Sequence, residues 1–242
     1  GDLNLDEAFR FCSNLQILPS IYFPVSQNPS VKMAQVYMRS TFADCLKLVD
    51  VKTNGDLIMN SVEVHMINTF QGCLSLVQTP RMQVKSSSVV VMDSTYSGCK
   101  ALTTVNEIEL DKASILYLDK TYKGCQSLKT AYAVYTYDKA TVYMTNTFEG
   151  CTSLNLVSAL ITENLDASED KSYYLKETFK DCTSLKSISL QASTIKSIDN
   201  IFSGCTSLQT VTFVKPNATI EPLLTHANLD NNTLSYEIKI EN

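Results

Sequence analysis

One eight-residue phrase, repeated eight times, constrains this chain more than anything else in it. Thr69-Phe70-Gln71-Gly72-Cys73-Leu74-Ser75-Leu76 recurs at Thr95 to Leu102, Thr121 to Leu128, Thr147 to Leu154, Thr178 to Leu185 and Ile201 to Leu208. Thr41 to Leu48 and Ala8 to Leu15 are earlier, weaker copies. The cysteines at their centres are Cys12, Cys45, Cys73, Cys99, Cys125, Cys151, Cys182 and Cys205, separated by 33, 28, 26, 26, 26, 31 and 23 residues. Self-similarity at such a period marks a repeat architecture. No unit of this size buries its apolar face alone, so stacked neighbours must share one continuous core.

Each phrase carries an aromatic three residues before the Cys and a Leu three residues after it. Spacing of three puts aromatic, Cys and Leu on one face of a short helix or 3₁₀ turn. The Thr before the aromatic suits an N-cap whose hydroxyl accepts a backbone N–H. Gly usually precedes the Cys, with Asp44 and Asp181 as substitutes, which predicts an unusual backbone conformation there. Six residues after the Cys stand Thr79, Val105, Val157, Ile188 and Val211, mostly apolar between polar neighbours, as in a short strand. Upstream, positions −9 and −7 pair apolar residues: Val36/Met38, Val64/Met66, Val90/Met92, Leu116/Leu118, Val142/Met144 and Tyr173/Leu175. This is the period-two signature of a half-buried strand. Each repeat therefore reads as strand, turn, strand, short helix.

The phrase Phe-x-Gly-Cys-x-Ser-Leu followed by a short strand resembles the BspA-like leucine-rich repeats of bacterial surface proteins. The 26-residue spacing with Met or Leu before Thr-Phe is similar to related surface-protein and lipoprotein repeats of unknown function. The resemblance covers residues 8 to 213. It implies a leucine-rich-repeat-like right-handed solenoid, strand-rich and of α/β class, with eight repeats over residues 1–213. It also implies export and a surface-binding role. Residues 214–242 leave the phrase, and Leu234 to Ile240 alternates with period two. This stretch is either a C-terminal cap or the start of a further module.

Composition narrows the function. The net charge of −5 argues against a nucleic-acid partner, which needs a basic stripe. No apolar run reaches membrane-spanning length. The chain opens Gly1-Asp2-Leu3 without an apolar leader, so a processed or trimmed chain is expected, exported to the cell surface or anchored to the outer membrane. Eight cysteines in an exported chain invite disulfides. Stacked equivalents, at helix-packing distances, stand too far apart to bond. Eight buried, unpaired structural thiols, acting as small hydrophobes, are expected instead.

No cofactor, metal or catalytic site is expected. His65 and His226 stand without metal-ligand spacing, and the acidic run Asp166 to Asp170 lacks the pattern of a calcium loop. No nucleophile phrase occurs, and His65 has no Ser, Cys or Asp partner. The candidate binding residues Tyr37, His65, Tyr117, Tyr143 and Tyr174 lie at position −8, outward from the core, where Val91 also falls. In a stacked array they form one stripe, which serves either as a contact surface for a protein or glycan or as aromatic packing that holds the sheet. Tyr132 and Tyr135, in the run Tyr132 to Tyr137, form a second candidate cluster. The expected role is a non-catalytic surface-binding or adhesion module, with a structural spacer as the alternative.

Overall fold

The structure is a computed structural model. It describes residues 1–21, 23, 33–49, 51, 56–85, 87–106, 108–110, 113–131, 134–136, 140–157, 172–191, 195–214 and 235–239. Its strands, in chain order, are β1 (Leu3–Asn4), β2 (Met33–Tyr37), β3 (Leu57–His65), β4 (Met82–Lys85), β5 (Val89–Val91), β6 (Ile108–Leu110), β7 (Ile115–Tyr117) and β8 (Thr130–Ala131). They continue with β9 (Val134–Thr136), β10 (Thr141–Tyr143), β11 (Leu156–Val157), β12 (Ser172–Tyr174), β13 (Ser187–Gln191), β14 (Ile195–Ser197), β15 (Thr210–Val214) and β16 (Ser235–Lys239). Every pairing among them is parallel, as a chain that coils in one direction requires.

Three walls result. The first stacks one strand per phrase, in the order β1-β2-β3-β5-β7-β10-β12-β14. Six of its members, β2, β3, β5, β7, β10 and β12, are the strands read from positions −9 and −7. The second wall branches from the first half of β3 and runs through β4, β6 and β9. The third holds the residues that follow each phrase: the bridges Gln78↔Thr104 and Thr104↔Thr130, the pair β8–β11, and the sheet β13-β15-β16. The period-two tail is thus in place as β16, extending β15 in register from Thr210↔Ser235 to Val214↔Lys239.

Among the described residues the phrase forms no helix, which corrects the expected short helix. In coil two, Thr41, Ala43 and Cys45 N–H groups donate three residues back, to Met38, Ser40 and Phe42. The alternate N–H groups of Ser40, Phe42 and Asp44 leave the coil and donate to Ile67, Thr69 and Gln71 of the next. A helix spends every N–H within itself. Here half of them fasten one coil to the next, giving a stack of turns.

That geometry needs two left-handed residues per phrase. All sixteen positive-φ residues among the described residues fall at positions −5 and −1 from the eight cysteines. Position −1 is the Gly or Asp position expected from the sequence, with Phe11 in the first copy. Position −5 holds Glu7, Ser40, Asn68, Ser94, Lys120, Asn146, Glu177 and Asn200, a residue mixture that hid it.

The Thr is not an N-cap acceptor either. Thr69 Oγ1 lies 2.7 Å from the Met38 carbonyl of the preceding coil and 2.8 Å from the Met66 carbonyl of its own, and as a hydroxyl it donates. Thr95, Thr121, Thr147 and Thr178 donate to the preceding coil in the same way.

The core follows the sequence pattern. The apolar pairs at −9 and −7, and the residues at +6, are buried. The aromatics form one ring ladder through Phe9, Phe42, Phe70, Tyr96, Tyr122, Phe148, Phe179 and Phe202, with centroids 5.2–5.9 Å apart and ring planes nearly parallel. The phrase occurs eight times, but regular coils number about six. The first contributes only the two-residue β1, and the last joins through a register shift between Tyr173 and Tyr174.

Candidate functional site

The outward stripe forms as the alternation requires. Register pairs Tyr37 with His65, His65 with Val91, Val91 with Tyr117, Tyr117 with Tyr143 and Tyr143 with Tyr174. Val91 splits it into two aromatic groups. Tyr117, Tyr143 and Tyr174 stack with centroids 4.9 Å apart, close to the spacing of adjacent strands. Tyr37 and His65 stack at 5.1 Å. All five are half-buried. Each ring lies face-on to its neighbour, so the stripe presents ring edges and hydroxyls rather than open ring faces.

The flanking rows give the stripe its charge. Around the first group, the Arg39 guanidinium lies 4.7 Å from the Tyr37 ring centroid and within 3.5 Å of Asp6. His65 pairs with a glutamate: its Nε2 lies 3.2 Å from a Glu63 carboxylate oxygen. Period two places Glu63 on the same face of β3, a pairing legible from i, i+2 spacing. Gln35 Nε2 also donates to Glu63, at 3.0 Å.

Beside the second group run Asp93 and Asp119. The Asp119 N–H donates to Asp93 Oδ1 at 3.1 Å, and the Thr145 N–H to Asp119 Oδ1 at 2.7 Å. Burial, and then the neighbouring Asp119 charge, raises the Asp93 carboxyl above its usual range. On the opposite flank stand the half-buried Val89, Ile115, Thr141 and Ser172.

Tyr135, from the second cluster, lies on a different wall from this stripe. Tyr135 lies in β9 of the second wall, in register with Glu109, and Tyr132 lies outside the described residues. His226 and Asp166 to Asp170 also lie outside them. Among the described residues no group of three or more His, Cys, Asp or Glu is arranged to hold a metal ion.

The cysteines differ from expectation in two respects. Cys12 is exposed; the other seven are buried. Among the described residues no neighbour covers Cys12, so the phrase alone does not bury it. The buried thiols are also donors, not merely small hydrophobes. Each lies 2.9–3.1 Å from the carbonyl oxygen of the aromatic in the preceding coil, as Cys125 Sγ does with Tyr96. Burial pushes the Cys45 thiol up to about 11 and that of Cys205 to about 12, and raises the other five as well. These groups stay protonated and poorly nucleophilic at neutral pH.

A sequence model of the BspA-type leucine-rich repeat region matches residues 39–174 and 119–228, in six copies. The chain belongs to the BspA-type leucine-rich-repeat family. Two solved structures resemble it more distantly. A leucine-rich cell surface protein of Faecalibacterium prausnitzii is 16% identical, with 98% of this chain and 76% of that one covered and a TM-score of 0.32. A leucine-rich repeat protein of Bacteroides ovatus is 14% identical, with 97% and 86% covered and a TM-score of 0.23. No curated protein matches the chain. The BspA-type region is a repeat module in which polar residues form ladders from coil to coil. Among its described residues, no helix is long and apolar enough to cross a membrane.

Proposed function

We propose that this BspA-type region is a non-catalytic module, exported and displayed at the bacterial cell surface or anchored to the outer membrane, that binds a protein or glycan noncovalently. The binding surface is the position −8 stripe, centred on Tyr117, Tyr143 and Tyr174, with Tyr37 and His65 extending it. The observation that supports this most is that three coils in succession place a half-buried tyrosine on the outer wall in one register. Tyr combines apolar area with a polar tip and is enriched at contact surfaces. Because the ring faces are spent on one another, sugar rings have little open aromatic face to stack on. That favours a protein partner over a glycan.

The same stacking supports a second reading, a structural spacer whose tyrosines only hold the sheet. A triple variant, Tyr117→Ala with Tyr143→Ala and Tyr174→Ala, separates the two on panels of immobilised extracellular-matrix proteins and glycans. The binding reading expects wild-type capture by at least one probe and a loss of about tenfold or more in the variant, near 1–2 kcal/mol at an anchor. The spacer reading expects no capture by the wild type and a stability loss in the variant. Capture that survives the triple change moves the site away from the stripe and toward the segment holding Tyr132 and Tyr135.

A further inference from the structure

The outer wall carries three side-chain rows, of which the tyrosine stripe at position −8 is the middle one. The residues at −9 and −7 are buried, so the rows at −10, −8 and −6 share the outward face. At −10, Glu63 gives way to Val89 and Ile115 in coils four and five. At −6 the row reads Arg39, Ile67, Asp93, Asp119, Thr145 and Lys176. Its charge is thus negative in coils four and five and positive in coil seven.

Asp93 and Asp119 are half-buried neighbours without a cation. Each spends one carboxylate oxygen, Oδ1, on a backbone N–H of the next coil. Among the described residues the other oxygen of each accepts no hydrogen bond, and neither carboxylate joins an ion pair. Elsewhere on this wall acids are paired: Asp6, in the same row, with Arg39, and Glu63 with His65. Burial and the Asp119 charge raise the Asp93 carboxyl, so the two charges are held together at a cost that an arriving cation relieves.

Spacing selects the shape of the partner. A segment crossing the stack meets the stripe at one coil, whereas one running along it meets Tyr117, Tyr143 and Tyr174 in turn. Their rings follow one another at 4.9 Å. An extended chain brings a side chain to one face about every 6.8 Å, and loses register by roughly 2 Å at each coil. An α-helix brings one to the same face about every 5.4 Å, and loses only about 0.5 Å.

Resting on the stripe as the binding surface, we infer that the partner protein presents an amphipathic α-helix laid along the stack over coils four to seven, with Lys or Arg side chains on Asp93 and Asp119 and apolar side chains on Val89, Ile115 and the tyrosines. The row at −6 also sets its direction. Lys176 stands two coils beyond Asp119, so an acidic residue about two helical turns past the last cation completes the match. Nucleic acids and acidic polysaccharides are repelled by the same two carboxylates.

The test uses the full chain and three synthetic peptides of about 18 residues, roughly 27 Å of helix. The first is stapled as a helix, with Leu along one edge and Lys beside it at successive turns. The second carries Glu in place of Lys. The third has the composition of the first, unstapled, with a central Pro. Fluorescence anisotropy should show the Lys helix binding at least tenfold more tightly than either of the others. Asp93→Asn with Asp119→Asn keeps both Oδ1 acceptors, so the fold persists, as circular dichroism checks. This double variant should bind the Lys helix at least fivefold more weakly and with a flatter salt dependence. The triple tyrosine variant should also bind it more weakly. A loss in the tyrosine variant but none in the aspartate variant overturns the inference and leaves the stripe standing. A loss in the aspartate variant alone overturns the stripe, and the inference with it. No binding of the Lys helix, or equal binding of the Glu or Pro peptide, overturns the inference.

Discussion

Coil one and coil three share one phrase and differ in almost everything the phrase does. Phe70, Cys73 and Leu76 are fully buried. Phe9 and Leu15 are half-buried, and Cys12 is exposed. Phe70 has a ring on each side, whereas Phe9 has one. Cys73 donates to the Phe42 carbonyl, a bond that Cys12 lacks among the described residues. The phrase fixes the shape of a rung, and the neighbouring rungs supply its burial. In a repeat array stability is close to a sum of unit and nearest-neighbour terms. An end coil with one neighbour should therefore hold roughly half the packing of an inner one.

The largest effect expected from the inner coils is alkaline collapse. Seven thiols are buried, and all seven are raised above the ordinary thiol range, Cys45 to about 11 and Cys205 to about 12. A raised acid favours its protonated form in the fold. Its stabilisation is complete below the unfolded thiol value and fades as pH rises above it. Each thiol held protonated in the fold costs about 1.4 kcal/mol per pH unit in that window, so seven together cost up to roughly 10 kcal/mol per pH unit. A domain of marginal stability should unfold near pH ~10. Circular dichroism across pH 8 to ~12 reads the transition, and a fold intact at pH ~11.5 would count against the buried-thiol ladder.

Truncating the ring ladder compares the two coils directly. Phe70→Ala should cost about 3–5 kcal/mol, and Phe9→Ala about half as much, in denaturant unfolding. Equal costs would mean that the end coil is supported by contacts outside its own ladder.

A smaller contrast lies in the backbone. Gly124 has φ of +72°, and a Cβ there would lie 4.0 Å from the Gly98 Cα, clear of any clash. Gly124→Ala should therefore show the left-handed cost alone, about 1–2 kcal/mol. Phe11 sits in the same conformation at φ of +60°. Phe11→Asn should stabilise the chain by about 0.5–1 kcal/mol, because Asn tolerates that region. If it does not, contacts of the 63%-exposed Phe11 ring outweigh the strain.

The apolar periodicity showed which side chains face inward, because alternation and spacing of three are local. Val64, Met66, Phe70, Cys73 and Leu76 are all buried as their spacing requires. The same alternation turned Tyr117, Tyr143 and Tyr174 outward in one register. The helix expectation failed because spacing of three is shared by a stack of turns, and the deciding hydrogen bonds run to residues 27 positions away, as from Phe42 to Thr69. The second left-handed position escaped notice because no single residue type marks it. The donor role of the Thr69 hydroxyl is non-local in the same way: its carbonyl partner Met38 lies in another coil. The exposure of Cys12 was not legible in its phrase at all, since it depends on a neighbour rather than on the residue.

Counting thiols tests the central claim most directly: one phrase stacked into a ladder that buries seven of its thiols and leaves Cys12 exposed. Native protein treated with a maleimide at pH 7 and without reductant should take up one label, mapping to Cys12 by peptide mass. Denatured protein, again without reductant, should take up eight, one for every cysteine in the chain. Labels on Cys73, Cys99 or Cys125 in the native protein, or fewer than eight after denaturation because disulfides have formed, would contradict the account.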